Sequence, residues 1–165
     1  MNLQSLSSVY TVYRLTEAEI PEILKLCQGN SLFYRHCPPA PSAESILRDM
    51  HALPPRKTME DKFYLGFDCN GVLCAVLDLI LRYPDDETAF IGFFMMRAEL
   101  QGQGEGSRLV QEIFECLKQD FKYLRLGYVK GNEQSRRFWQ KNGLRETGVV
   151  VHQPEYDILY TQRTL

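Results

Sequence analysis

The sequence predicts a mixed fold of the α/β (α+β) class: a mainly antiparallel sheet of six to seven strands with one parallel pair, flanked by about four helices. Three observations carry this. Phe63–Cys69 and Val72–Leu81 are apolar runs joined by Asn70-Gly71, the strongest two-residue hairpin signal. Gln101-Gly102-Gln103-Gly104-Glu105-Gly106 separates the apolar run Ala89–Met96 from a helical pattern over Arg108–Leu117, an order of strand, glycine-rich turn and helix. The strand that follows, Tyr123–Val129, must return parallel to its predecessor through a right-handed crossover.

The remaining elements fall in order. Val9–Leu15 reads as a first strand. Thr16 caps a helix with Glu19 at capping-box spacing, and Ile20, Ile23, Leu24 and Cys27 recur along one face until Gly29-Asn30. The prolines of His36-Cys37-Pro38-Pro39-Ala40-Pro41 predict an extended loop over 31–41. Ser42 opens a second short helix, stopped by Pro54-Pro55. Tyr83-Pro84-Asp85-Asp86 turns the chain into the strand Thr88–Met96, completing an antiparallel meander. After Val129, Asn132 caps a helix closed by Asn142-Gly143, and Leu144–Val151 and Asp157–Leu165 form a final strand pair. The apolar strand Ile158-Leu159-Tyr160 is a candidate for pairing across a homodimer; monomer and homodimer both stay open.

Composition bounds the function. The chain has 165 residues, read as one domain over 1–165, with enough apolar content (44%) to exclude disorder. A formal charge of −2, from 19 basic and 21 acidic residues, argues against a nucleic-acid partner. The five cysteines lie in or beside apolar patterns, as expected of reduced thiols in a cytoplasmic protein. No secretory h-region is read at the N-terminus, and Val72–Leu81 is too short to span a membrane. No metal-ligand spacing is present.

The glycine turn is the main functional signal. Backbone N–H groups of such a turn converge on an anion, and the helix N-terminus adds its positive dipole end. A P-loop is excluded because no Gly-Lys-Ser/Thr follows, and the glycines lack dinucleotide-fold spacing. The turn resembles the acetyl-CoA signature of the GNAT superfamily of N-acetyltransferases, a Gln/Arg-x-x-Gly-x-Gly/Ala pattern matched by Gln101, Gly104 and Gly106. A second block, Asn132 to Leu144, matches that family's next motif at Asn132, Ser135, Phe138 and Gly143-Leu144, and the inferred element order matches over nearly the whole chain.

The resemblance implies a GNAT-like fold with the parallel pair at the cofactor cleft, and acetyl-CoA as cofactor. It implies that the backbone of Gly102, Gln103, Gly104, Glu105, Gly106 and Ser107 holds the pyrophosphate. Phe94, Met95 and Met96 would pair with the pantetheine amides, with oxyanion help from an N–H near Met96. Asn132, Ser135, Phe138 and Trp139 would lie along the pantetheine arm. Where the family commonly has a tyrosine acid, this chain has Trp139, whose indole N–H donates a hydrogen bond but no proton; Tyr128 and Ser135 are the nearby hydroxyls. The strand Thr88–Met96 holds no acid, so Asp78, inside an apolar strand where a carboxylate is costly, is the candidate general base. His36 and Cys37 are candidates for the acceptor entrance, with a plain loop as the alternative. The expected reaction is direct attack of a small-molecule or peptide primary amine on acetyl-CoA. The competing class is an acyl-CoA-binding module without turnover, and the acceptor stays open among polyamines, aminoglycosides, amino acids and protein N-termini.

Overall fold

A computed structural model describes residues 2–165. Seven strands run β1 (Thr11–Arg14), β2 (Lys62–Cys69), β3 (Val72–Leu81), β4 (Thr88–Met96), β5 (Tyr123–Val129), β6 (Arg145–His152) and β7 (Asp157–Thr164). The α-helices are α1 (Ile20–Gln28), α2 (Ser31–His36), α3 (Ala43–His51), α4 (Glu105–Leu117) and α5 (Glu133–Lys141). The strands form one sheet in the order β1-β2-β3-β4-β5-β7-β6. Among the described residues only β4 and β5 run parallel; every other neighbouring pair is antiparallel.

Local chemistry explains most boundaries. Asn70 and Gly71 both adopt positive φ, as a two-residue hairpin between twisted strands demands. Thr16 and Glu19 form a reciprocal capping box, here on a 3-10 turn that leads into α1 with Pro21 in its first turn. Ser42 and Ser45 cap α3 in the same way.

Two expectations are corrected. The segment 31–41 is not wholly extended, because α2 occupies Ser31–His36 and makes a fifth helix. The prolines begin at 38 and forbid helix only from the residue before them. The segment Ile158-Leu159-Tyr160 offers no free edge, because β7 pairs with β5 on one side and β6 on the other. The sheet's edges are β1 and β6.

The sheet is covered on both faces. Leu109, Val110, Ile113, Phe114 and Leu117 of α4 pack with Leu77, Leu79, Ile91, Leu124 and Leu126 on one face. Ile23, Leu26 and Cys27 of α1 and Ile46 and Met50 of α3 pack with Tyr64, Val76 and Met95 on the other. Each such fully buried side chain contributes about 1.5–3 kcal/mol, which makes this two-sided cover the main source of stability. Alternation along a strand then assigns the site residues to faces: Phe93 and Met95 lie with α1 and α3, whereas Phe94 and Met96 lie with α4. No helix among the described residues is long and apolar enough to cross a membrane.

Candidate active site

The parallel pair does not stay paired. Ladder contacts join Thr88–Ile91 to Tyr123–Leu126 and stop there, so the last five residues of β4 and the last three of β5 diverge. A bulge starts the divergence. Asp78 of β3 lies opposite Phe93 and Leu79 opposite Ile91, leaving Gly92 as the extra residue on β4. A Cβ at Gly92 would stand 2.6 Å from Asp78 Oδ2, so a side chain there would have to displace the carboxylate. The bulge and the carboxylate thus occupy one place in the sheet. Between the diverging strands lies a cavity of about 690 Å³ that reaches both faces, with Phe94, Phe138 and Trp139 on the α4 side and Asp78, Phe33 and Tyr34 on the other.

The glycine turn borders the α4 side. Gly102 and Gly104 have φ of 77° and 87°, values that disfavour any side chain, and a Cβ at either would meet nothing within 4 Å. Gly104 is the N-cap of α4 and provides no capping side chain, so no side chain accepts from the first-turn N–H groups. The carboxylate of Glu105 is engaged elsewhere, accepting from Tyr10 Oη at 3.0 Å and from Arg108. Gly106 packs against Met96 and Phe138. Gln103 points outward and donates to the Glu99 carbonyl, and the Ser107 hydroxyl accepts from Asn142 Nδ2 at 3.3 Å.

Gln101 works as a latch. Its Nε2 donates to Asn30 Oδ1 at 2.5 Å and to the Met96 carbonyl at 2.9 Å, and its Oε1 accepts from Gln134 of α5. Asn30 Nδ2 donates to the same Met96 carbonyl at 3.1 Å and to the Leu26 carbonyl at 2.9 Å. The end of β4 is thereby tied to the ends of α1 and α5. Because Arg97 N–H bonds back to β3 at Cys74, the polar groups of Met96 face the other edge, toward the cleft.

Helix α5 walls the α4 side. Asn132 is buried and spends its Oδ1 on capping α5 at Ser135 N–H, 3.0 Å away; it is not among the cavity's lining, whereas Ser135, Phe138 and Trp139 are. Trp139 packs edge-on against Phe138 and Phe94, with ring centroids 4.8 and 5.8 Å away. Tyr128 lines the cavity from β5, but its hydroxyl donates to Glu146 Oε1 at 2.5 Å. Burial first, and then that carboxylate, push its pKa above the usual phenol range.

On the opposite face stands Asp78, 8% exposed. Its Oδ2 accepts from Lys62 Nζ at 2.8 Å, and Lys62 also donates to the Ala52 carbonyl at 3.0 Å. Its Oδ1 is buried and has no protein partner. Burial pushes the carboxyl above the ordinary carboxylate range, against the opposing pull of Lys62. Around it the cavity is aromatic: Phe33, Tyr34, Phe93 and Tyr156 line it together with Cys37 and Asp49. Thirteen of the sixteen residues given a cofactor or catalytic role from the sequence line this one cavity: Asp78, Phe94, Met95, Met96, Gln101, Gly102, Gly104, Gly106, Ser107, Tyr128, Ser135, Phe138 and Trp139; of the acceptor-entrance candidates Cys37 lines it and His36 does not. Gln103, Glu105 and Asn132 do not.

Sequence reasoning missed Asn30, Phe33, Tyr34, Asp49, Lys62 and Tyr156. Asn30 read only as a helix terminator, and Lys62, one residue ahead of the strand expected over Phe63–Cys69, drew no reading. Among the described residues no three His, Cys, Asp or Glu side chains converge as a metal site would require.

Comparison with known proteins bears on the family and the fold. A family model described as the acetyltransferase (GNAT) family matches residues 29–144. No curated protein sequence matches the chain. Among solved structures, an acetyltransferase from Thermus thermophilus superposes with a TM-score of 0.75 at 20% identity, covering 95% of this chain and 97% of its own. AAC(6')-Ib in complex with ribostamycin and coenzyme A gives 0.71 at 16% identity, covering 95% and 94%. The ribosomal-protein-S18-alanine N-acetyltransferase from Escherichia coli gives 0.68 at 13%, covering 94% of each chain. At these identities the likeness is one of fold.

Proposed function

This chain belongs to the acetyltransferase (GNAT) family, and on that footing we propose that it moves the acetyl group of acetyl-CoA to a primary amine by direct attack. The observation that carries the reading is the early end of the β4–β5 ladder beside a helix N-terminus that no side chain caps. The residues present fit the cofactor. Open space at the Cβ directions of Gly102 and Gly104 suits a phosphate at the turn. The cleft-facing edge of β4 suits an extended amide chain added as a strand. The solved neighbours in complex with coenzyme A or acetyl-CoA share this fold.

Acetyl-CoA, when bound, would supply the acetyl group as an activated thioester. The chain's own residues do the rest. The first-turn N–H groups of α4 hold negative charge, and the Gln101–Asn30 latch fixes the end of β4. A residue in an extended strand points its N–H and C=O to the same edge, so the Met96 N–H faces the cleft as an oxyanion donor. Asp78 Oδ1 takes the proton from the attacking amine, while Lys62 holds Oδ2 and fixes the carboxylate's orientation. Trp139 shapes the channel by packing on Phe94 and Phe138.

Calorimetry with coenzyme A, followed by thiol release from acetyl-CoA in the presence of an amine panel, tests the proposal. Binding with amine-dependent release is expected. Binding without release from any amine would leave a non-enzymatic acyl-CoA-binding module, and no binding would end both readings.

A further inference from the structure

The two ends of the cavity differ in charge. Its basic lining residue among the described residues is Lys141, on α5. The opposite face presents two carboxylates, Asp78 and Asp49, and no cation of its own. Lys62 is 1% exposed and committed to Asp78 Oδ2 and the Ala52 carbonyl. Arg48 Nε stands 4.0 Å from Asp49 Oδ1, at the limit of an ion pair, and both side chains are well exposed. The basic residues in the last turn of α2, Arg35 and His36, do not line the cavity.

The two carboxylates differ in depth. Asp78 is nine-tenths buried, lines the cavity and keeps an unpartnered Oδ1. A buried carboxylate oxygen without a partner is costly, and an incoming N–H donor satisfies it. Asp49 lies nearer the mouth, with its side chain 63% exposed. Between and around them are Phe33, Tyr34, Phe93 and Tyr156, rings whose faces favour a cation or an alkyl chain over an anion.

Resting on the acetyl-transfer reading, we infer that the acceptor is a dicationic amine: a primary amine on an apolar arm bearing a second positive charge. The reacting nitrogen meets Asp78 Oδ1, the arm lies among the aromatic rings, and the second charge sits at Asp49. In the transfer, the amine nitrogen forms a bond to the acetyl carbon as the carbon–sulfur bond breaks. Asp78 takes one proton from the ammonium and so frees the lone pair that attacks; the second proton, shed as the carbon–sulfur bond breaks, goes to the sulfur, which leaves with the electron pair as the free thiol. A free polyamine and a lysine beside another basic residue in a peptide share this chemistry. An acceptor carrying a carboxylate next to its amine does not.

The test compares α,ω-diaminoalkanes with n-alkylamines and ω-amino carboxylates of equal length, by kcat/KM for thiol release and by calorimetry of each acceptor on the protein saturated with coenzyme A. A peptide with adjacent lysines separates the two sources. The diamine should exceed the monoamine about threefold to fivefold, the scale of a partly exposed ion pair, and the preference should shrink as salt is raised. Asp49→Asn should bring the diamine-to-monoamine ratio toward one. Asp49→Lys should invert it in favour of the amino carboxylate, a readout that a purely structural role would not move.

Transfer with no preference for the second charge, or with preference for the amino carboxylate, overturns this inference and leaves acetyl transfer standing. Preferential diamine binding with no transfer keeps the cation site and overturns the transfer reading. Neither binding nor transfer overturns both.

Discussion

The two faces of the cleft are built from different materials. On the α4 face the working groups are backbone: the N–H groups of a helix start, the edge of β4 and a turn whose glycines contribute by lacking side chains. On the α1–α3 face they are side chains: a buried carboxylate, the lysine that pairs with it and a ring of aromatics. A backbone-built site recognises what all its ligands share, and loses function when atoms are added. A side-chain-built site recognises what is particular to one ligand, and loses function when charge is removed. Two kinds of mutation therefore test the contrast.

The largest effect is expected from adding atoms at Gly104. Gly104→Val forces a β-branched residue to φ near 87°, costing about 1–3 kcal/mol of stability as well as obstructing the turn. Gly104→Asn is the cleaner probe, because asparagine tolerates the left-handed region. Its side chain still projects where a Cβ meets no protein atom. Gly104→Asn should keep the thermal midpoint within a few degrees and weaken coenzyme A binding about a hundredfold. That loss is about 3 kcal/mol, or one to two hydrogen bonds to a charged group. Unchanged affinity in calorimetry would remove the phosphate assignment from the turn.

Next comes removal of charge at Asp78. Asp78→Asn should lower kcat/KM by about 10²–10⁴ at neutral pH, the worth of a positioned base, and the deficit should shrink as pH rises and the amine deprotonates unaided. The same change leaves Lys62 buried without its counter-ion and should cost about 3–5 kcal/mol of stability. Lys62→Met/Asp78→Asn should recover much of that stability but none of the activity, separating the structural role from the chemical one. Lys62→Met alone supplies the pH test. Activity needs the ionised carboxylate, so it falls as pH drops through the carboxyl's pKa, already raised by burial. Removing the charge that opposes this rise should move the acid limb of kcat/KM to higher pH, by about one unit or more. A limb that does not move would mean that the titrating base is not Asp78.

The same division decided what could be read from the sequence. The backbone-built face is local: Asn70-Gly71, the alternating glycines and the Asn132 cap announce themselves within a few residues, because turn and cap geometry demand particular residue types at fixed offsets. Asp78 was legible because a charge inside an apolar strand needs a reason. Its partner was not, because Lys62 at the start of β2 looks like any solvated flank until β2 and β3 pair and place Tyr64 beside Asp78. Asn30, Phe33, Tyr34 and Asp49 reach the cavity from α1–α3, a segment whose docking depends on contacts far away in sequence. The place of β7 inside the sheet was hidden for the same reason: strand order between β5 and β6 is a property of the whole chain. Helix α2 was missed because the prolines after it were allowed to speak for residues ahead of them.

Trp139 belongs to the backbone-built face, yet it is a side chain, and it tests how strictly the division holds. Packed on Phe94 and Phe138, it should behave as a wall. Trp139→Phe should reduce kcat less than about tenfold and cost about 1 kcal/mol of stability, lowering the midpoint by roughly 2–4 °C. A loss of about tenfold to a thousandfold in kcat, with midpoint and coenzyme A affinity unchanged, would instead make the indole N–H an oriented donor to the departing thiolate. Trp139→Tyr then asks whether a hydroxyl at this position improves turnover.

Tyr128 should give the smallest effect, and the reason lies in where its hydroxyl points. The ring lines the cavity, but the O–H is donated to Glu146 on β6, and burial together with that carboxylate holds the proton more tightly than in an ordinary phenol. Such a group is a weak acid toward a leaving thiolate, whose own basicity is modest. Tyr128→Phe should therefore keep kcat within about threefold. Its stability cost should be about 1 kcal/mol, because the Glu146 side chain it releases is 41% exposed and regains water. The pH profile sharpens the test. If the phenol delivered the proton, kcat would fall by about a hundredfold or more, and the basic limb of the wild-type profile would be lost in the variant. If the thiolate leaves without it, the basic limb keeps its position and only the thermal midpoint moves.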